Sequence, residues 1–222
     1  MADCLLPTPG PSPEPKVPLH TWPLLLITLV GLPSAAIASA AKMPAGEYLQ
    51  AEIPEGWQQA VDRQAGHLRL TEYYPSATIT DWHEKITIEA LSGRDLPDPI
   101  TYIEGLVAQQ QPLCGDFAQQ PIYAGFENGF ATAVHLISCG RSLRTGRGLL
   151  TFVKVVRGNQ ALYTISRIWR AALPAADGTA AAPAAEQAQL AAWSNALRTM
   201  QVCDPQRSAH PCGAPSPSAI TP

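Results

Sequence analysis

Two short stretches gather side chains capable of chemistry. The first is Asp81-Trp82-His83-Glu84, a dense polar and aromatic cluster. A histidine within hydrogen-bond reach of a carboxylate is a general acid/base pair, so His83 with Asp81 or Glu84 is the candidate for a hydrolase-type enzyme. Adjacent residues on an extended strand point to opposite faces, which works against convergence. The plainer reading makes Trp82 a core anchor with solvated neighbours. His83-Glu84 also lacks the second histidine, three residues on, that a zincin helix requires. The second stretch, Arg141-Ser-Leu-Arg144-Thr-Gly-Arg147-Gly148, carries three arginines and two glycines with no acid nearby. Guanidinium forks suit carboxylate or phosphate, so an anionic partner, a lipid headgroup or a cell-wall polymer could dock there. The plainer reading is a solvated connection whose arginines serve solubility. His135 lies in the apolar run Ala133-Val134-His135-Leu136-Ile137 and reads as a satisfied sheet histidine. No Gly-x-Ser-x-Gly elbow, phosphate-cradling glycine loop or Cys-x-x-Cys is present. The expectation is therefore no catalytic residue, no metal and no cofactor.

The chain has 222 residues and a formal net charge of −3, which predicts no nucleic-acid binding. Charge is unevenly placed. Residues 47–127 hold thirteen acids and four Lys/Arg, whereas residues 128–176 hold seven Lys/Arg and no acid. Acidic and basic strands of one sheet would neutralise each other across it; an anion-binding face is the alternative.

Residues 22–30, Trp-Pro-Leu-Leu-Leu-Ile-Thr-Leu-Val, are too few to span a bilayer and run into small residues ending Ala36-Ile37-Ala38 and Ala38-Ser39-Ala40. Residues 1–40 thus read as a signal peptide with a long, proline-rich n-region, and the mature chain starts at Ser39 or Ala41. A start at Val17 would leave an ordinary leader; an uncleaved run would be a poor membrane anchor. Export predicts a periplasmic or secreted monomer with no stable membrane span. Cysteine usage agrees, because Cys4 falls in the leader and Cys114, Cys139, Cys203 and Cys212 remain, an even number. With Asn128-Gly129 centring a hairpin, Ala118 faces Cys139 and Cys114 lies just upstream. The expected bridges are Cys114–Cys139 and Cys203–Cys212, the former adding about 3 kcal/mol. A Cys/His metal site using His210 is the rival reading, at a spacing that fits no zinc pattern.

The elements that must position these residues follow from turns and periodicity. An edge strand near Tyr48 and Leu49 precedes a hairpin about Ala65-Gly66, whose second arm sets Leu68, Leu70 and Glu72 against His67, Arg69, Thr71 and Tyr73. Residues 84–91 alternate as a half-buried strand. Asp98 as N-cap and Pro99 as the first helical residue open a helix with Ile100, Ile103, Leu106 and Val107 on one stripe. Residues 117–170 are four antiparallel strands joined at Asn128-Gly129, the arginine loop and Gly158-Asn159. Both alternate sets of residues 149–156 are apolar, which marks a central strand covered on two faces. An Ala/Pro linker, 173–183, leads to a second helix over 184–201 with Leu190, Trp193, Leu197 and Met200. Residues 202–222 form a Pro/Ser tail without a core pattern, expected to be disordered. The result is one α+β domain, 41–201: an antiparallel sheet of about six to seven strands with helices on both faces.

On Ile53-Pro54-Glu55-Gly56-Trp57, Glu72-Tyr73-Tyr74-Pro75 before Trp82, Cys114, Glu127-Asn128-Gly129-Phe130, Cys139, Gly158-Asn159-Gln160-Ala161-Leu162-Tyr163 and Trp169-Arg170, the sequence resembles the PsbP-like α/β/α sandwich superfamily. The likeness covers about residues 47–200 and is to its small bacterial envelope members of unknown function. It implies a fold, and a fold does not imply a function. It further implies a non-catalytic binding or assembly module whose partner is an envelope protein or an anionic envelope component. Arg141, Arg144, Arg147, Tyr73, Tyr74 and Trp82 are the candidate binding residues. A periplasmic immunity or inhibitor protein is the alternative outside enzymology.

Overall fold

The computed structural model describes residues 46–75, 81–171, 187–210, 212 and 219–222. The leader and the 173–183 linker lie outside them. In chain order come β1 (Tyr48–Gln50), β2 (Gln58–Ala65), β3 (Leu68–Tyr74), β4 (Glu84–Ser92), α1 (Pro99–Gln110), a single 3₁₀ turn (Gln111–Leu113), β5 (Cys114–Glu127), β6 (Phe130–Ser142), β7 (Leu149–Arg157), β8 (Ala161–Arg170), α2 (Gln187–Thr199) and β9 (Gln201–Cys203). The sheet has seven antiparallel strands in the order β2-β3-β4-β8-β7-β6-β5, and β1 pairs with β9 as a separate two-stranded ribbon. The architecture is α+β with the sheet dominant.

Local rules account for the hairpins. Asn128 and Gly129 take φ of 46° and 78°, the positive values a two-residue turn of this hand demands. The register expected from that turn fails by one place, however. A bulge between Pro121 and Tyr123 inserts an extra residue into β5, so Phe117, not Ala118, stands opposite Cys139. Asp116 then adopts φ 56°, and a Cβ at Gly140 would crowd its side chain. Cys114 and Cys139 come within disulfide distance, with Cα atoms 5.4 Å apart; Cys203 and Cys212 do likewise at 5.6 Å.

Alternation along β7 divides the core. Val153 and Val155 join Ala133, Ile137 and Leu162 in a cluster with Ile103 and Val107 of α1. Phe152 and Val156 belong to a larger cluster with Trp193, Leu197 and Met200 from and just beyond α2, and with Leu49, Val202 and Ile220. α1 is capped as its sequence requires, the Asp98 carboxylate accepting from the Ile100 N–H at 2.9 Å. Ile100 itself is exposed, because the stripe that meets the sheet is Pro99, Ile103 and Val107. On β3 the larger cluster takes Tyr73 with Ile86 and Ile88, while Leu68 and Leu70 are only half-buried.

The C-terminal tail departs from its compositional reading. Val202, Cys203, Asp204 and Ile220 are buried, and Ile220 forms a β-bridge with Leu49. His210 stacks on Phe130 with ring centroids 4.2 Å apart, and its Nδ1 lies 2.7 Å from the Asn128 carbonyl. Within the tail expected to be disordered, Val202 and Ile220 thus join the core, while residues 205–209 are exposed. Order comes from the Cys203–Cys212 pairing and from contacts remote in sequence, which composition does not reveal. The described residues cluster as one compact unit.

Candidate functional site

The uneven charge of the sequence resolves across the sheet. Of the seven cations between residues 128 and 176, four meet acids from the preceding half: Arg147 and Arg170 meet Asp81, Lys154 meets Glu127, and Arg167 meets Glu84. Arg141, Arg144 and Arg157 are exposed and have no ion-pair partner among the described residues. Two of these three unpaired arginines sit together, at and just beyond the end of β6.

That end of the sheet holds a cleft of about 330 Å³ lined by Trp82, Lys85, Leu113, Arg144, Ile168 and Arg170, with the Cys114–Cys139 bridge in its wall. The arginine connection closes as a tight loop, the Ser142 N–H donating to the Arg147 carbonyl at 2.8 Å and the Gly146 N–H to the Ser142 carbonyl at 2.8 Å. Gly146 takes φ 70°, which suits a residue without a side chain. Two cations stand against Trp82: the Arg170 guanidinium lies 4.2 Å and the Lys85 ammonium 5.1 Å from its ring centroid. Such contacts hold a half-buried indole in place. Tyr74 meets Trp82 edge-on at 6.4 Å and donates its hydroxyl to Glu72 at 2.7 Å. Burial, then Glu72, pushes the Tyr74 hydroxyl pKa up, so it stays a donor.

Electrostatically, the cleft keeps a cationic surplus. Arg147 first, then His83 and Arg170, holds the exposed Asp81 carboxyl below its ordinary range. Burial works against the Glu72 carboxylate, but hydrogen bonds from Lys85 and Tyr74 outweigh it and draw its pKa down. Both acids are therefore ionised and engaged near neutral pH.

The candidate residues fall into three groups. Arg144 and Trp82 line one cleft, with Arg141 close by in sequence at the end of β6. Arg147 belongs to the same loop but is committed to Asp81, 2.9 Å away. Tyr73 and Tyr74 are only 8% and 3% exposed, so neither presents a binding surface; Tyr73 lies in the core and Tyr74 supports Trp82 from behind. As for an acid/base pair, His83 is exposed, Glu84 turns to Arg167, and Asp81 is held by Arg147 and Arg170. His210 serves the Asn128-Gly129 turn, and no group of three or more His, Cys, Asp or Glu among the described residues could hold a metal ion.

Sequence reasoning passed over Lys154. It is fully buried in β7, donating to the Glu127 carboxylate and to the carbonyls of Leu197 (2.5 Å) and Met200 (2.7 Å) at the end of α2. A cation at a helix C-terminus satisfies carbonyls the helix leaves unpaired. A second cleft of about 370 Å³ opens beside it, between Ile122, Tyr123 and Arg198. Its buried charge is already satisfied, so it offers a ligand less than the cationic cleft does.

Scanned against family models and curated proteins, the chain matches none. Among solved structures it is similar to PA94, a protein of unknown function from Pseudomonas aeruginosa, with 14% identity over 67% of this chain and 88% of that one, at a TM-score of 0.42. It is also similar to LpqN, involved in cell envelope biogenesis of Mycobacterium tuberculosis, with 14% identity over 74% of this chain and 87% of that one, at a TM-score of 0.37. Likenesses this loose carry no argument about the present chain, and the PsbP-like resemblance is not confirmed by them.

Proposed function

We propose that this is an exported, non-catalytic binding module of the bacterial envelope, a PsbP-like sheet with a helix on each side. It takes an anionic partner at the cleft between Trp82 and the Arg141–Arg147 loop. The observation that carries the reading is the pairing pattern. Most cations of the second half are neutralised across the sheet, while Arg141 and Arg144 have no ion-pair partner among the described residues, and Arg144 shares its cleft with a fixed indole. Guanidinium forks beside an aromatic ring are a chemistry for carboxylate or phosphate recognition. Two cysteine pairs at disulfide distance are compatible with an extracytoplasmic location. No helix of the described residues is long and apolar enough to cross a membrane.

Cross-linking of the mature protein within its own envelope tests this. Replacing Arg141 and Arg144 by Ala is expected to abolish recovery of the cross-linked partner with the circular dichroism unchanged. Undiminished recovery from the folded variant would remove the cleft from consideration.

A further inference from the structure

Beside Arg141 and Arg144, which have no ion-pair partner among the described residues, two large apolar side chains are exposed, one in the arginine loop and one in the preceding 3₁₀ turn. Leu143 is 61% and Leu113 43% exposed, although the described part of the chain has a core able to bury such residues. They are neighbours, because the Leu143 N–H donates to the Leu113 carbonyl at 2.9 Å, tying the 3₁₀ turn to the start of the arginine loop. Arg141 and Arg144 flank Leu143 in sequence, and Lys85 and Arg170 stand deeper in the cleft that Leu113 and Arg144 line. No carboxylate among the described residues neutralises the two flanking arginines.

From this juxtaposition we infer that the Leu113–Leu143 tip, ringed by Arg141 and Arg144, docks on an anionic lipid bilayer. This deepens the reading of the cleft as an anion site and rests on it. Apolar side chains that project from a surface between cations match the layered chemistry of a membrane interface, phosphate above and acyl chain below. A soluble anion would call on the arginines but leave the leucines in water, so charge complementarity and exposed apolar area together favour the bilayer over a polyanionic wall polymer. The tight hydrogen bonding of the 142–147 loop fixes Leu143, and its N–H bond to the Leu113 carbonyl holds Leu113 beside it, so little ordering opposes insertion.

Sedimentation of the mature protein with vesicles tests the inference. Binding is expected to vesicles of phosphatidylglycerol mixed with phosphatidylcholine and not to phosphatidylcholine alone. An anionic surface attracts each nearby cation by an amount that corresponds to roughly fivefold in affinity, so Arg144→Ala should weaken binding about that much and Arg141→Ala/Arg144→Ala more. Leu143→Ser should weaken it by a comparable factor of about five to ten, as expected for an apolar side chain only partly withdrawn from water. Both sites are exposed, and an unchanged thermal midpoint would verify folding. Vesicle binding that Leu143→Ser leaves intact would overturn the inference. So would absence of vesicle binding by a protein that still binds soluble glycerol phosphate or is retained on a polyanion, an outcome that leaves the anion site standing. Failure with every one of these probes would bring down both readings.

Discussion

Replacing Lys154 by Met removes a charge and three donors from the core while nearly conserving volume. In the native protein the ammonium, fully buried, satisfies the Glu127 carboxylate and the carbonyls of Leu197 and Met200. Burial draws the Lys154 pKa down and Glu127 opposes it, so the pair, not the lysine alone, makes the charge tolerable. Breaking a buried ion pair by removing one partner typically costs about 3–5 kcal/mol. The Glu127 side chain is 25% exposed and keeps some water, which places Lys154→Met near the lower end, about 3 kcal/mol. The cavity contribution is small because Met fills most of the space. For a domain of this size that corresponds to a fall in Tm of about 6–12 °C. Denaturant unfolding of Lys154→Met, Glu127→Gln and the double variant gives the coupling directly. The double variant should be less destabilised than the sum by about 1 kcal/mol or more. A Lys154→Met loss below about 1 kcal/mol, or strict additivity, would refute the reading of Lys154 and Glu127 as a coupled buried pair.

Other expectations follow from particular contacts. Glu47 is buried and accepts from the backbone N–H groups of Asn159, Gln160 (3.2 Å) and Ala161 (3.3 Å), and a Cβ on Gly158 would collide with its carboxylate. Gly158→Ala should therefore cost about 2 kcal/mol or more in denaturant unfolding, and an unchanged midpoint would show that the anchor is dispensable. His135 has its pKa lowered by burial, with Glu104 pulling the other way. A depressed folded-state value means the native state binds the proton less readily than the unfolded chain. The contribution is therefore fully present above the ordinary histidine pKa and lost as pH falls through the folded value. His135→Gln should flatten that acid limb of the stability curve; an identical pH profile would contradict the reading.

The elements that local rules specify were legible in the sequence. Asn128-Gly129 and the Asp98-Pro99 start of α1 stand where their backbone chemistry puts them; the expected two-residue turn at Gly158-Asn159 is instead a longer loop, because neither residue takes a positive φ and Arg157 pairs with Leu162 across residues 158–161. The bulge at residues 121–123 was not, since one inserted residue leaves the apolar alternation intact on either side and shows only as a shift in partner. The tail was illegible for a different reason. Val202, His210 and Ile220 gain order from β1, Phe130 and Leu49, far away along the chain. At the site, both halves could be read as residue types, the Trp82 cluster and the arginine loop. Their meeting through Asp81, which takes Arg147 out of play, depends on β4 lying beside β8 and on the loop reaching over both. Tyr73 and Tyr74, singled out as surface candidates, are both buried, Tyr73 in the core and Tyr74 edge-on to Trp82, and neither burial shows in their composition.

The central claim is that Arg144, in the cleft that Trp82 lines, and Arg141, at the end of β6, receive an anion. Nuclear magnetic resonance of the mature protein, following arginine Nε–H and tryptophan Nε1–H signals during titration with glycerol phosphate, addresses it most directly. Arg157, exposed and likewise without an ion-pair partner among the described residues, provides an internal control. Saturable shifts at Arg141, Arg144 and Trp82, with Arg157 unmoved, are predicted. Equal, non-saturating shifts at all three arginines, or none at Trp82, would contradict the account.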